Sequence, residues 1–296
     1  TQGTIHAHIG ECSMANERAI VITGASTGIG KACALRLAEA GFYVFAGVRT
    51  ETDRDSLRRE SKKRLTPLIL DVCNEDQIRQ AVKTVEAAKE YTLFGLLNNA
   101  GHGAPGPMEL VPIAETREIF EVNVLGNVAV TKAFLPLLRK TRGRIVNMGS
   151  FAGRFAPPGM SGYAASKAAL EAISDSLRVE LRSFGITVSI MEPATVDTPI
   201  FEKGAKVQKQ RLMGIAPEVQ TLYAPLSEFL LNKASNPGGI SPDHVAKVVV
   251  HAFTARRMKP RYLIGGEAKF ISIIGQLPTK IRDFFVHRTV YGPTVN

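Results

Sequence analysis

The chain has 296 residues, 45% of them hydrophobic and 22% charged, which suits one globular domain with a sizeable core. Three cysteines, Cys12, Cys33 and Cys73, have neither metal-ligand spacing nor an even-numbered framework, so no metal site and a reducing, cytoplasmic setting are expected. The formal charge of +10 is scattered and only 7% of residues are aromatic, which speaks against nucleic acid as the partner and leaves room for an anionic cofactor.

Met14-Ala-Asn-Glu17 reads as a natural start, so residues 1–13 are expected to be a tail and 14–296 a single domain. His6, His8 and Cys12 are then tail residues without a role. No apolar run reaches the ~18 residues that span a bilayer, and neither repeats nor a linker divide the chain.

Ala19–Thr23 is a short β-rich apolar run, read as a buried parallel strand. Gly24-Ala-Ser-Thr-Gly28-Ile-Gly30 follows, and a helical pattern runs from Lys31 to Ala40. Strand, glycine turn and helix start together make a phosphate cradle. Gly24 permits the turn, Gly28 lets the backbone approach a pyrophosphate, and Gly30 allows close packing of helix on strand.

Phe42–Val48 is the next strand. An acidic side chain near its end would favour NAD, whereas an arginine accommodates a 2′-phosphate. Val48 is neutral and Arg49 follows it, so NADP is the expected cofactor, with NAD possible. Asp53–Lys63 reads as a charged surface helix and Leu65–Leu70 as a third strand, ending in Asp71-Val72. Asp71 either caps the helix that begins near Asn74 or touches an adenine ring. That helix, to about Glu90, carries apolar Ile78, Ala81, Val82 and Val85 at helical spacing.

Leu93–Leu97 is a strand followed by Asn98-Asn99-Ala100-Gly101, where amides can tie strands and cofactor together. From Ile113 to about Leu138 the pattern is helical. It contains Asn123, which needs a partner if buried. Arg144–Gly149 reads as a strand with Ser150 at its end, where ligands bind in open α/β sheets.

Tyr163 and Lys167 are four residues apart in the helix from about Ser161 to Phe184, on one face. A neighbouring ammonium favours phenolate, so it is expected to lower a tyrosine pKa that starts near ~10 toward acid/base work. Ile186–Met191 is a strand closed by Glu192-Pro193. The run 194–236 lacks strand alternation and lies where a substrate lid would sit, to about 240. A helix over Pro242–Ala255 and a last strand over Arg261–Gly265 follow. The extension from about 266 to 296 carries Phe270, Ile271, Ile274, Leu277, Ile281, Phe284 and Phe285 among Lys269, Lys280, Arg282 and Arg288. It is expected to pack on the core or the substrate pocket, with peripheral membrane contact as the alternative.

With Thr23-Gly-Ala-Ser-Thr-Gly-Ile-Gly30, Asn98-Asn-Ala-Gly101, Asn123, Ser150 and Tyr163-x-x-x-Lys167 in order and at these spacings, the chain resembles the short-chain dehydrogenase/reductase family over about Arg18–Thr198. The resemblance implies an α/β fold: a single Rossmann-like, doubly wound parallel sheet of about seven strands with helices on both faces, assembled into homodimers or homotetramers. It implies that Tyr163 is the general acid/base, that Lys167 holds the nicotinamide ribose, that Ser150 bonds the substrate oxygen and that Asn123 supports a water-mediated proton relay. It further implies that Gly24, Ser26, Thr27, Gly28, Ile29, Gly30, Arg49, Asp71, Val72, Asn99, Ala100, Gly101, Tyr163, Lys167, Pro193 and Thr198 bind the dinucleotide. Ala194 stands where the family usually has glycine. Gly41–Gly47 and the stretch from Lys259 to Tyr262 are similar to the retinol, 17β-hydroxysteroid and hydroxybutyrate dehydrogenase group, which implies a lipophilic alcohol or carbonyl substrate. A dinucleotide-binding scaffold without turnover is the rival reading. It has no chemical need for Ser150, Tyr163 and Lys167 together.

Overall fold

The computed structural model describes residues 17–60, 64–235 and 238–292. The expectations for residues 1–13 therefore lie outside the described residues, as does the end of the helix expected to reach Lys63.

Strand and helix alternate along the chain. β1 (Glu17–Ile22), α1 (Gly28–Glu39), β2 (Tyr43–Val48), α2 (Glu51–Glu60), β3 (Leu65–Ile69), α3 (Glu75–Ala87) and β4 (Tyr91–Asn98) form the first half. The second half comprises α4 (Ile113–Phe120), α5 (Asn127–Thr141), β5 (Arg144–Met148), α6 (Ser161–Glu180), β6 (Thr187–Pro193), α7 (Pro199–Met213), α8 (Pro217–Leu222) and α9 (Ala224–Ser235), then α10 (Pro242–Thr254), β7 (Arg261–Ile264), α11 (Gly266–Ile274) and α12 (Thr279–Tyr291). The seven strands form one parallel sheet in the order β3-β2-β1-β4-β5-β6-β7. The chain winds outward from β1 in one direction and then returns to wind in the other, so the sheet is doubly wound as expected.

Alternation along β1 shows how the sheet is covered. Ile20 and Ile22 meet Cys33 and Leu37 of α1 and Val249 and Phe253 of α10 on one face. Ala19 and Val21 meet Ile78 of α3 and Phe134 and Leu138 of α5 on the other. Both faces are dry, which is why these strands read as continuous apolar runs. Each fully buried side chain of this size contributes about 1.5–3 kcal/mol of transfer free energy.

Three segments differ from the sequence expectations. The helix expected over Ile113–Leu138 is interrupted by a π-helical turn, Glu121–Gly126, which carries Asn123. The stretch 194–236 is mostly helical: Pro199 and Pro217 sit in the first turns of α7 and α8, where a missing N–H costs nothing. The C-terminal extension does not bury its large side chains. Phe270, Phe284 and Phe285 are 63%, 56% and 56% exposed, and α12 has no buried residue. Thus α11 rests against β7 with its small Ala268 in the core, and α12 rests against α9, where Val286 and His287 line a cavity together with Ala152 and Ala164, next to Ser150 and Tyr163.

Candidate active site

At the carboxyl end of β1 the sheet opens into a crevice, because the chain after β1 passes to the face covered by α1 and the chain after the neighbouring β4 to the face covered by α5. The turn after β1 is left-handed at Gly24 (φ +66°) and Gly28 (φ +55°). A Cβ on Gly30 would lie 2.1 Å from the Gly24 carbonyl oxygen, so helix and turn are in direct backbone contact. Thr27 is the N-cap of α1 but its side chain makes no capping bond, and the first turn holds no acidic residue. The opening amides of α1, around Ile29, thus lack a side-chain acceptor, and they stand in the positive end of the helix dipole. Ser26 and Thr27 precede them in the turn, Ser26 half-buried and Thr27 exposed. Such a cradle fits the pyrophosphate of a dinucleotide.

Thr23 and Asn99 lock this turn to β4. Thr23 Oγ1 accepts from the Asn99 and Ala100 amides, both at 3.0 Å. Asn99 Nδ2 donates to the carbonyls of Thr23 (3.1 Å) and Gly24 (3.0 Å). Asn98 ties β4 to its neighbour through Asn147 Oδ1 at 2.9 Å. Thr198, the N-cap of α7, stands over the turn: a Cβ on Gly28 would lie 3.1 Å from its methyl group. Pro193 closes β6 and pairs with Ile264, one residue before the buried Ala194.

On the other side of the crevice, Arg49 follows β2 with its side chain exposed and makes no hydrogen bond or ion pair with a described residue. Val48 is buried. Asp71 does not cap α3. That position belongs to Asn74, whose Oδ1 accepts from the Gln77 amide at 3.1 Å. Asp71 Oδ1 instead accepts from the Cys73 amide at 2.9 Å, half-buried at the carboxyl end of β3. Val72 packs on the π-helical turn, where a Cβ on Gly126 would lie 2.6 Å from its Cγ2.

Ser150, Tyr163, Lys167 and Asn123 converge between these walls. Asn123 is fully buried, with Oδ1 accepting from the His102 amide (2.7 Å) and Nδ2 donating to His102 O (2.9 Å) and Ser166 Oγ (2.9 Å). Its side chain therefore braces the loop after Gly101 against α6. Ser166 and His102 did not stand out in the sequence. A small hydroxyl three residues after Tyr163 was the one available signal, and Ser166 Oγ donates to the Tyr163 carbonyl at 2.7 Å. A Cβ on Gly101 would lie 3.6 Å from both Asn123 Oδ1 and Lys167 Nζ, so the loop, the π-helical turn and the lysine meet at one point.

Lys167 Nζ donates to Met148 O at 2.7 Å, and burial lowers its pKa to about 8, with Glu171 opposing that fall. Burial pushes the Tyr163 phenol up, opposed by its hydrogen bond with Ser150. The expected lowering by Lys167 is not seen: Nζ lies 5.7 Å from the phenol ring centroid, and the shift is set by desolvation of the phenolate, opposed by Ser150 and not by the lysine. Tyr163 is accordingly a protonated donor at neutral pH. Ser150, buried at the end of β5, also accepts from the Ala152 amide at 3.1 Å. Among the described residues no group of three His, Cys, Asp or Glu side chains could hold a metal ion.

Comparison with known proteins agrees with this geometry. A 3-amino-tetrahydro-pyrrolizinone reductase of Xenorhabdus hominickii is 38% identical over 261 residues, covering 86% of this chain and 89% of its own. Human retinol dehydrogenase 5 is 36% identical over 277 residues, covering 89% and 86%. A short-chain dehydrogenase from Streptomyces avermitilis superposes with TM-score 0.72 at 27% identity, covering 93% of this chain and 96% of its own. Two further structures share the fold. One is a Burkholderia cenocepacia short chain dehydrogenase in complex with NADP (TM-score 0.70, 24% identity, 94% and 99% covered). The other is a Brucella melitensis 3-ketoacyl-(acyl-carrier-protein) reductase complexed with NADH (TM-score 0.69, 23% identity, 86% and 100% covered). The short chain dehydrogenase family model matches residues 18–209. The chain belongs to the short-chain dehydrogenase family of NAD(P)-dependent oxidoreductases.

Proposed function

We propose that this oxidoreductase interconverts a carbonyl and a secondary alcohol on a lipophilic substrate, with NADP(H) preferred. The observation that carries the reading is the convergence of Ser150, Tyr163 and Lys167 beside the glycine cradle. When bound, the nicotinamide cofactor supplies or accepts the hydride. Gly24, Ser26, Thr27, Gly28, Ile29 and Gly30 would hold its pyrophosphate, with Asp71 and Val72 near the adenine and Asn99, Ala100, Gly101, Pro193 and Thr198 along the remainder. Lys167 would hold the ribose.

Ser150 and Tyr163 donate hydrogen bonds to the substrate oxygen and polarise its carbonyl. Tyr163 then gives its phenolic proton to that oxygen as the alcohol forms, and takes it back in the reverse direction. The raised phenol pKa keeps this proton in place until the oxygen becomes basic enough to claim it. Asn123 serves by holding the loop after Gly101 against α6, which fixes the floor of the site and of any water-mediated relay to Lys167.

Support for an apolar substrate comes from the segment 194–240, whose helices carry exposed Val207, Met213 and Leu222, and from relatives such as retinol dehydrogenase 5. The NADP(H) preference rests on Arg49, a cation at the end of β2 with no partner among the described residues. Homo-oligomerisation through α5 and α6 and peripheral membrane contact through α11 and α12 complete the reading. The first rests on exposed Leu125, in the π-helical turn that leads into α5, and exposed Val179 on α6, and the second on exposed Phe270, Ile273, Ile281, Phe284 and Phe285. A cofactor-consumption screen over ketones and alcohols of graded size tests the function. Turnover that rises with apolar size supports it, and turnover of small polar substrates alone overturns it.

A further inference from the structure

A charged cluster lies one helical turn beyond the lysine. Lys167 and Glu171 are at i and i+4 of α6 and both are buried. Glu192, fully buried near the end of β6, reaches the same place from the sheet. Arg261, at the start of β7, donates through Nη1 to Glu171 Oε2 and to Glu192 Oε1. Two carboxylates within hydrogen-bond reach of one nitrogen are close to each other, and like charges so placed favour retention of a proton by one of them.

The charge count brings in Lys167. With both carboxylates ionised, Arg261 offsets one of them, and the second negative charge is offset only while Lys167, one helical turn away, is cationic. One further oxygen on each acid, Glu171 Oε1 and Glu192 Oε2, is buried and accepts no hydrogen bond among the described residues. An ionised oxygen left in that state is costly, and a proton relieves it. The charged groups facing Glu171 are Lys167 and Asp175 on its own helix, Glu192 from β6 and Arg261 from β7. Arg261 Nη2 lies 3.5 Å from Asp175 Oδ1, and Arg154, in the turn after Ser150, lies 3.6 Å from Glu192 Oε2. Asp175 and Arg154 are both partly exposed and opposite in charge, so they leave that balance to Lys167.

We propose that Glu171 is a positioning residue for Lys167, a buried carboxyl that Glu192 and Arg261 hold between its neutral and ionised forms and whose charge decides how firmly Lys167 stays cationic. Ionised Glu171, one turn along the same buried helix face, favours the ammonium through its charge while Met148 O holds Nζ. Neutral Glu171, having taken its proton from solvent, lets Lys167 give one up more readily. Burial and Glu192 raise the Glu171 carboxyl to about 7, which puts the exchange in the neutral range. The inference rests on the reading of Lys167 as a working residue of the site, but its test does not need turnover.

The test uses the whole chain and two variants, Glu171→Gln and Glu192→Gln. The Lys167 titration is read from 13C NMR of the lysine Cε resonances, assigned with Lys167→Met. The carboxyl proton is read from the infrared stretch of protonated acid between pH 5 and 9. Wild type should show a protonated carboxyl that ionises near pH 7 and is missing in Glu171→Gln. In Glu171→Gln the Lys167 midpoint should fall by about one pH unit, the low end of the shift an adjacent opposite charge produces. In Glu192→Gln the carboxyl should ionise at lower pH and the Lys167 midpoint should not fall. A loss of packing alone would move both variants the same way, and that result overturns the proposal. So does an unchanged Lys167 midpoint in Glu171→Gln. Should Glu171→Gln not fold, the wild-type infrared titration decides: no carboxyl ionising near neutrality sinks the idea. If these titrations appear as expected and no alcohol or ketone is turned over, the proposed reaction fails and this inference stands.

Discussion

At the scale of single residues, the proposed mechanism separates proton donor from charge holder. Tyr163→Phe removes one oxygen and nothing that packs, so it should lower turnover by ~10²–10⁴-fold while cofactor binding, read by fluorescence titration, stays near wild type. Near wild-type activity in this variant would remove Tyr163 from the mechanism. Lys167→Ala should be comparably damaging and should also weaken cofactor binding, because a buried ammonium bonded to Met148 O is lost with it. The lysine also leaves a signature in stability. Its folded pKa of about 8 lies below its ordinary 10.5, so between those values the unfolded chain binds more protons than the folded one. Stability owed to this group must therefore rise with pH across that window. Denaturant melts at pH 8 and pH 10 should show wild type gaining stability relative to Lys167→Met. A constant difference between the two would mean that Lys167 titrates normally.

At the scale of elements, the parallel strands and the glycine turn were legible because their causes are local. A strand covered on both faces must be apolar throughout, and a turn that abuts its own helix, as Gly24 and Gly30 do, must lack side chains. The π-helical turn at Glu121–Gly126 leaves no such mark in composition, and only burial reveals why Asn123 sits there. The stretch 194–236 showed only its lack of strand alternation, and the prolines that begin α7 and α8 did not by themselves mark helix starts. The cluster around Glu171 was out of reach altogether, since Arg261 lies 90 residues from Glu171 and 69 from Glu192. The end of β2 combines both situations. Arg49 was legible as a candidate for a 2′-phosphate, but the burial of Val48 was not, and an aspartate at Val48 would put a charge into the apolar cluster under β2. The clean test is Arg49→Ala. A charge-assisted pair contributes about 1–3 kcal/mol, so NADPH affinity should fall roughly one to two powers of ten while NADH affinity is unchanged. Equal loss for both cofactors would show that Arg49 does not read the phosphate.

At the scale of the whole molecule, net charge and exposed apolar surface combine. Leu125 in the π-helical turn and Val179 on α6 stand out from the core, which motivates a homo-oligomer; light scattering that finds a monomer at micromolar concentration would refute it. The C-terminal helices make a different surface. Phe270, Ile273, Ile281, Phe284 and Phe285 project from α11 and α12 beside Lys280, Arg282 and Arg288. Arg282 is paired with Asp283 at 3.2 Å. Among the described residues no helix is long and apolar enough to cross a membrane, so these side chains can enter a bilayer only from its surface. Each basic residue near an anionic leaflet contributes about 1 kcal/mol, and salt screens that term, whereas burial of the phenylalanines is indifferent to salt. Flotation with vesicles containing phosphatidylserine should therefore carry the protein at low salt and release part of it at high salt. Phe284→Asp with Phe285→Asp should abolish flotation while leaving turnover of a water-soluble substrate intact, because α12 has no buried residue to lose. Binding to neutral and anionic vesicles alike, unaffected by the double variant, would assign the contact to another surface. No flotation at any salt concentration would show that the exposed phenylalanines serve something other than a membrane.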